Sequence, residues 1–280
     1  MSGPVEANPW DALRRFTSAR IALGRAGSGL PTAPLLAFER AHAQARDAVH
    51  QPLDADALHA ALKTRALMSI DVHSAAPDRD HYLRRPDLGR RLDEASVHVL
   101  YDVVCDAVCD KPAAPADVVF VIADGLSARA AAAHALPVLD AALPRLDGWQ
   151  VGPVVVARQA RVALGDEIGE RLRARCVVML IGERPGLSSP DSLGLYLTAA
   201  PRVGRTDAER NCISNVRPEG LGYEAAAAKL CYLLTRSRAL GMTGIGLKDD
   251  SEDASGHADA AATLAAAASA PLSAPPERSR

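Results

Sequence analysis

The residues of this chain whose types and spacing could do chemistry gather at the ends of short apolar runs. Asp124-Gly125-Leu126-Ser127 follows one such run and opens an Ala-rich stretch. Its glycine permits a tight turn, and Ser127 can cap a helix whose first amides suit an anion. Ordinary strand-to-helix turns have the same composition, so these four residues alone imply no ligand. Gly182-Glu183-Arg184-Pro185-Gly186 closes a second apolar run. A carboxylate set there can accept hydrogen bonds from a ligand's N–H groups, although a solvated loop with a surface ion pair reads alike. Cys212 lies in Asn211-Cys212-Ile213-Ser214-Asn215, a stretch punctuated by Arg205, Arg210 and Arg217 and read as a loop. A thiol is nucleophilic only in an electropositive setting with a base beside it. The sequence pairs no histidine with Cys212, so packing against a large ligand is its expected role.

Other constellations carry less. His98, Cys105 and Cys109 fall along one helical face, but one helix seldom completes a tetrahedral site, and buried free thiols explain them more simply. No metal site is expected. Gly24-Arg25-Ala26-Gly27-Ser28-Gly29 lacks the dinucleotide-binding spacing and follows no strand. Asp71-Val72-His73 opens like the Asp-x-His-x-x-Gly motif that replaces the lower ligand of cobalamin with histidine. Its glycine is missing, however, and the segment reads as helical rather than as a strand end. No Ser-His-Asp set and no phosphate-binding Walker loop is present.

The elements that must position these groups change character along the chain. Residues 10–23, 35–49, 54–68 and 92–108 show apolar residues at helical spacing. From residue 118 the pattern becomes strand, turn, helix. Apolar runs at 118–123, 151–157, 176–181 and 193–198 alternate with helical stretches reaching residue 143 and spanning 166–173 and 224–240. Continuous apolar runs suit strands covered on both faces. The expected fold is therefore α/β, with a doubly wound, mostly parallel Rossmann-like sheet and a helical N-terminal extension. The expected division is residues 1–110 helical, 111–248 ligand-binding, and 249–280 a disordered Ala/Ser/Pro tail.

Composition narrows the function. The 280 residues are 48% hydrophobic and 24% charged, enough apolar content for a sizeable core. The 32 basic and 34 acidic residues leave a net charge of −2, without the positive field of a general nucleic-acid binder. No apolar run is long enough to span a bilayer, and the N-terminus does not read as a secretory signal. Five cysteines without a CxxC pair suit a reducing cytoplasm.

Five irregular segments carry a more specific signal. WDALRRFTSARIALGRAG (10–27), YLRRPDLGRRL (82–92), VIADGLS (121–127), GERPGL (182–187) and CISNVRPEGLGYEAAAA (212–228) together resemble the ethanolamine ammonia-lyase light chain, or small-subunit, family. The resemblance implies half of an adenosylcobalamin-dependent lyase that converts ethanolamine to acetaldehyde and ammonia by a radical route. It implies a separate large subunit, a (β/α)₈ barrel that holds the substrate, and an assembly of six large and six small subunits. Family cobalamin contacts carry over to Val162 in Ala160-Arg161-Val162, to Glu183 in GERPGL, and to Cys212. Asp124 and Ser127 become neighbours of the cofactor's nucleotide loop. No catalytic residue is expected in this chain. No cobalt ligand is expected either, because the family binds cobalamin base-on. Family members packaged in a bacterial microcompartment carry a longer N-terminal extension. The short start here leaves a free cytoplasmic enzyme and a packaged one both open. The rival readings are a cobalamin carrier without a lyase partner and a nucleotide-dependent oxidoreductase, the latter disfavoured by the missing glycine fingerprint.

Overall fold

Val119–Ala123 (β2) and Cys176–Gly182 (β4) are apolar or glycine throughout and buried at every position. Such strands need cover on both faces, and they lie side by side in the middle of a six-stranded sheet. This computed structural model describes residues 8–17, 19–106 and 115–251. The other strands are Ser69–His73 (β1), Val154–Arg158 (β3), Leu193–Ala199 (β5) and Arg210–Val216 (β6). In the order β1-β3-β2-β4-β5-β6 the first three pairings are parallel, and β5 runs antiparallel to both of its neighbours, β4 and β6. The molecule is thus a mixed α/β protein with a mostly parallel sheet.

Seven α-helices accompany the sheet among the described residues: Thr32–His50 (α1), Ala55–Thr64 (α2), Arg79–Arg84 (α3), Glu94–Asp106 (α4), Ala128–Ala142 (α5), Leu164–Arg171 (α6) and Tyr223–Leu240 (α7). Strand side chains alternate between faces. Phe120 and Ile122 therefore join one apolar cluster with residues of α2, α5 and α7. Val119, Val121 and Ala123 join a second with Leu100 of α4 and Leu164 and Ile168 of α6. Helices cover both faces of the sheet.

The order of connections matters for function. The chain leaves β2 toward β3 on one side and leaves β4 toward β5 on the other. The loops following these adjacent strands diverge, which opens a crevice at their carboxyl ends.

Three expectations need correction. Residues 69–73, read as part of a helical third, form an edge strand paired with β3. The helical reading of 54–68 overran because the apolar positions Leu58 and Leu62 are followed by further apolar residues up to Met68, whereas Ala66 adopts a positive φ of 55° just past the end of the helix. Ser-Ile-Asp-Val-His then alternates half-buried and buried positions, the signature of a strand. Asp71-Val72-His73 consequently does lie at a strand end. Second, residues 210–216, read as loop, form β6 on the opposite edge. Only Arg210, Ile213 and Val216 are buried there, so no apolar run announces it. Third, the N-terminal stretch read as helical over 10–23 is a 3-10 helix over Pro9–Phe16, capped by Asn8 accepting from the Trp10 amide at 2.9 Å. Cys109, the Cys105 side chain and residues 252–280 lie outside the described residues. Among the described residues, no helix is long and apolar enough to cross a membrane.

Candidate functional site

The crevice between the β2 and β4 loops is a cleft of about 450 Å³. Its floor depends on two glycines that let backbones touch. Gly125 has a φ of +54°, and a Cβ there would lie 2.2 Å from the Gly182 carbonyl oxygen. A Cβ on Gly182 would lie 2.0 Å from the Ser127 carbonyl oxygen. The Leu126 amide closes the contact by donating to the Gly182 carbonyl at 2.9 Å. Any side chain at either position would force the loops apart.

One wall comes from the turn after β3. The buried Asp124 carboxylate accepts from the amides of Gln159 at 2.9 Å and Ala160 at 3.0 Å, and pairs with Arg79 Nη1 at 3.3 Å. These bonds hold Gln159 at a φ of +53°, a conformation that an unsupported glutamine rarely keeps. Burial pushes the Asp124 carboxyl upward, opposed by the Ala160 amide and Arg79. Arg79 also donates through Nε to the Val49 carbonyl at 2.6 Å, linking α1 to the turn. Tyr82 on α3 is fully buried and donates its hydroxyl to the Ala160 carbonyl at 3.0 Å. Desolvation, with the Asp124 charge nearby, raises its phenol above the ordinary range. The guanidinium carbons of Arg79 and Arg161 lie 4.6 and 4.2 Å from the Tyr82 ring centroid. Val162, half-buried, packs on the apolar cluster beneath this turn and lines the cleft.

The opposite wall carries Glu183 and Tyr196. Both Glu183 carboxylate oxygens accept from the Asn215 amide at 3.3 Å. Asn215 itself sits at a φ of +57°, and Arg217 Nε donates to its side-chain oxygen at 3.0 Å. Cys212 faces Tyr196 across the β5–β6 pairing. Its thiol is pushed up by desolvation and by the Glu183 charge, against a hydrogen bond with Tyr196. It therefore stays protonated near neutrality and makes a poor nucleophile.

Of the residues singled out in sequence, the fold brings Val162 and Glu183 into one cleft. Cys212 is exposed beside Tyr196 on edge strand β6. Asp124 is a buried brace beneath the cleft. Ser127 caps α5, accepting from the Ala130 amide at 3.3 Å, and donates to the Pro190 carbonyl at 3.0 Å. His73 lies on edge strand β1 with Nδ1 at 2.7 Å from the Ser74 carbonyl oxygen. No group of three or more His, Cys, Asp or Glu side chains suited to a metal occurs among the described residues. Sequence reading missed Arg79, Tyr82, Arg161, Tyr196 and Asn215. Tyr82 and Ala160 are 78 residues apart, and no local pattern announces such a contact.

The Ethanolamine ammonia-lyase light chain (EutC) family model matches residues 7–248. The ethanolamine ammonia-lyase small subunit of Ralstonia nicotianae is 57% identical over 252 residues, covering 89% of this chain and 91% of that protein. That of Azotobacter vinelandii is 57% identical over 251 residues, with the same coverage. That of Pseudomonas putida is 55% identical over 253 residues, covering 89% and 90%.

Proposed function

The chain belongs to the ethanolamine ammonia-lyase light-chain family, the small subunit of a lyase, and from that premise we propose that its cleft holds one side of adenosylcobalamin against the large subunit. The observation that carries this reading is the meeting of Val162 and Glu183, from separate family motifs, in one crevice where an α/β sheet binds ligands. The residues fit the group. Cobalamin presents a rim of primary amides, whose N–H groups suit the Glu183 carboxylate. Val162, Leu126 and Ile181 offer an apolar surface to the corrin or its lower base. An open cleft of about 450 Å³ covers one side of so large a ligand and leaves the rest to a partner. Cys212 adds a small, polarizable contact through the β6 edge.

When bound, adenosylcobalamin supplies the radical chemistry that converts ethanolamine to acetaldehyde and ammonia. This chain's residues bind and orient the cofactor and exclude water from one side of it. No catalytic group and no cobalt ligand is assigned to this chain. Residues 111–248, with β1 added at one edge of their sheet, act as a Rossmann-like, doubly wound cobalamin-binding layer. The region 1–110 meets the large, barrel-forming subunit in an assembly of six large and six small chains. Its surface supports that role: Trp10 and Phe16 are 65% and 71% exposed, and only Ala41 and Ala48 of α1's 19 residues are buried. The enzyme serves ethanolamine degradation in the cytoplasm, free or within a microcompartment.

Acetaldehyde release from ethanolamine and adenosylcobalamin, measured in the dark with the cognate large subunit, tests the proposal. Turnover should require both chains. A complex that holds the cofactor yet gives no acetaldehyde would reject the lyase reading and favour a cobalamin carrier.

A further inference from the structure

The cleft wall contains a cation that receives no counter-charge among the described residues. Arg161 follows β3 and is half-buried along the cleft. Its stem is gripped: a Cβ on Gly89 would lie 2.8 Å from Arg161 Cγ, and the Arg161 amide donates to the Gly89 carbonyl at 2.8 Å. Its head stacks on the Tyr82 ring, and Nη2 donates to the Tyr82 carbonyl at 3.2 Å. Nε is covered by protein and has no acceptor among the described residues, so a ligand in the cleft meets the outer nitrogens, of which only Nη2 has a partner, the Tyr82 carbonyl. The nearby carboxylates are engaged elsewhere. Asp124 holds Arg79 and two backbone amides, and Glu183 holds the Asn215 amide. A fixed, partly desolvated guanidinium whose outer Nη1 has no partner among the described residues marks a place where an anionic acceptor fits.

We infer that Arg161 is the phosphate-recognising residue of the cleft, and this rests on the cobalamin reading above. Cobalamin's peripheral amides and hydroxyls are neutral. Its one anionic group is the phosphodiester that links the corrin side arm to the lower base. An amide oxygen would satisfy the N–H but leave the charge uncompensated, whereas a phosphodiester supplies both. The planar guanidinium matches phosphate geometry, and stacking on Tyr82 fixes its orientation in advance. Arg161 thus selects corrinoids that carry the nucleotide loop, while neighbouring Val162 contributes apolar contact without such selection.

The test compares adenosylcobalamin with adenosylcobinamide, which lacks the phosphodiester and base, as ligands of the assembled two-subunit enzyme in equilibrium titrations. Wild type should hold adenosylcobalamin more tightly. Arg161→Met keeps an apolar stem over Tyr82 and should weaken adenosylcobalamin by about tenfold or more, the scale of a charge-assisted hydrogen bond. It should leave adenosylcobinamide unchanged. Arg161→Lys should recover part of the loss, and it carries the same comparison if the methionine variant fails to assemble. Equal losses for both corrinoids, or no loss for adenosylcobalamin, would overturn the assignment while sparing the functional reading. A wild-type enzyme that binds no adenosylcobalamin would overturn both.

Discussion

Glu183 illustrates how a single side chain is made ready for a ligand. Its carboxylate is aimed by the Asn215 amide, and Asn215 is held in a left-handed conformation by Arg217. Glu183→Gln keeps the shape but removes the charge. It should weaken adenosylcobalamin retention by about tenfold, in line with roughly 1.5 kcal/mol for hydrogen bonds to a charged group. Titration of the assembled enzyme measures this, and unchanged affinity would remove Glu183 from the energetic contacts. Cys212→Ala should retain most activity, because a thiol raised by desolvation beside Tyr196 stays protonated and packs rather than reacts. Complete loss of turnover with normal cofactor binding would contradict that role. Glu209 supplies a pH marker outside the cleft. The Thr206 amide, Arg205 and the Thr206 hydroxyl hold its carboxyl at about 2, below the ordinary 4.5. A depressed carboxyl stabilises the fold fully above the ordinary value, and this contribution is lost as pH falls through about 2. An NMR titration of the Glu209 carboxyl carbon should therefore give a midpoint near 2, and one near 4.5 would disprove the capping interaction.

At the level of elements, the parts legible in the sequence are those whose burial is uniform. β2 and β4 are apolar or glycine at every position, so their centrality and the Glu183 loop beyond β4 could be read directly. β1 was hidden because α2 precedes it with only a short turn between, and β6 because its buried positions include Arg210 rather than a run of aliphatics. That arginine is itself structural. Arg210 Nη1 and Nη2 reach the Asp166 carboxylate at 2.5 and 2.7 Å, with both side chains almost wholly buried. The pair joins β6 to the first turn of α6. Asp166→Ala would leave the buried guanidinium only the exposed Asp207 carboxylate, 3.4 Å from Nε, and should cost about 3 kcal/mol of stability in chemical denaturation. Combining it with Arg210→Met should recover part of the loss, and a double variant no more stable than the single would argue against the pair as the cause. The Arg79–Asp124–Tyr82 brace could not be read in advance: Arg79 and Tyr82 stand three residues apart on α3, but their contacts with Asp124 and Ala160 join segments distant in sequence.

For the whole molecule, the exposed N-terminal residues separate assembly from folding. Trp10→Ala and Phe16→Ala remove side chains that the isolated chain leaves in water. They should leave its melting temperature unchanged while weakening association with the large subunit by about 2 kcal/mol each, the scale of interface hot spots. Calorimetric melting beside equilibrium binding would show this, and a lowered melting temperature with unchanged binding would reverse the assignment. The edge position of β1 has a consequence in time. Ser69 pairs with Val154, a separation of 85 residues (154 − 69). At roughly 5–20 residues per second, a ribosome takes about 4–17 s to deliver the second strand after the first. For that interval the nascent chain presents Ile70 and Val72 on a strand with no strand beside it, so the earliest-made strand of the sheet waits longest for its pairing partner.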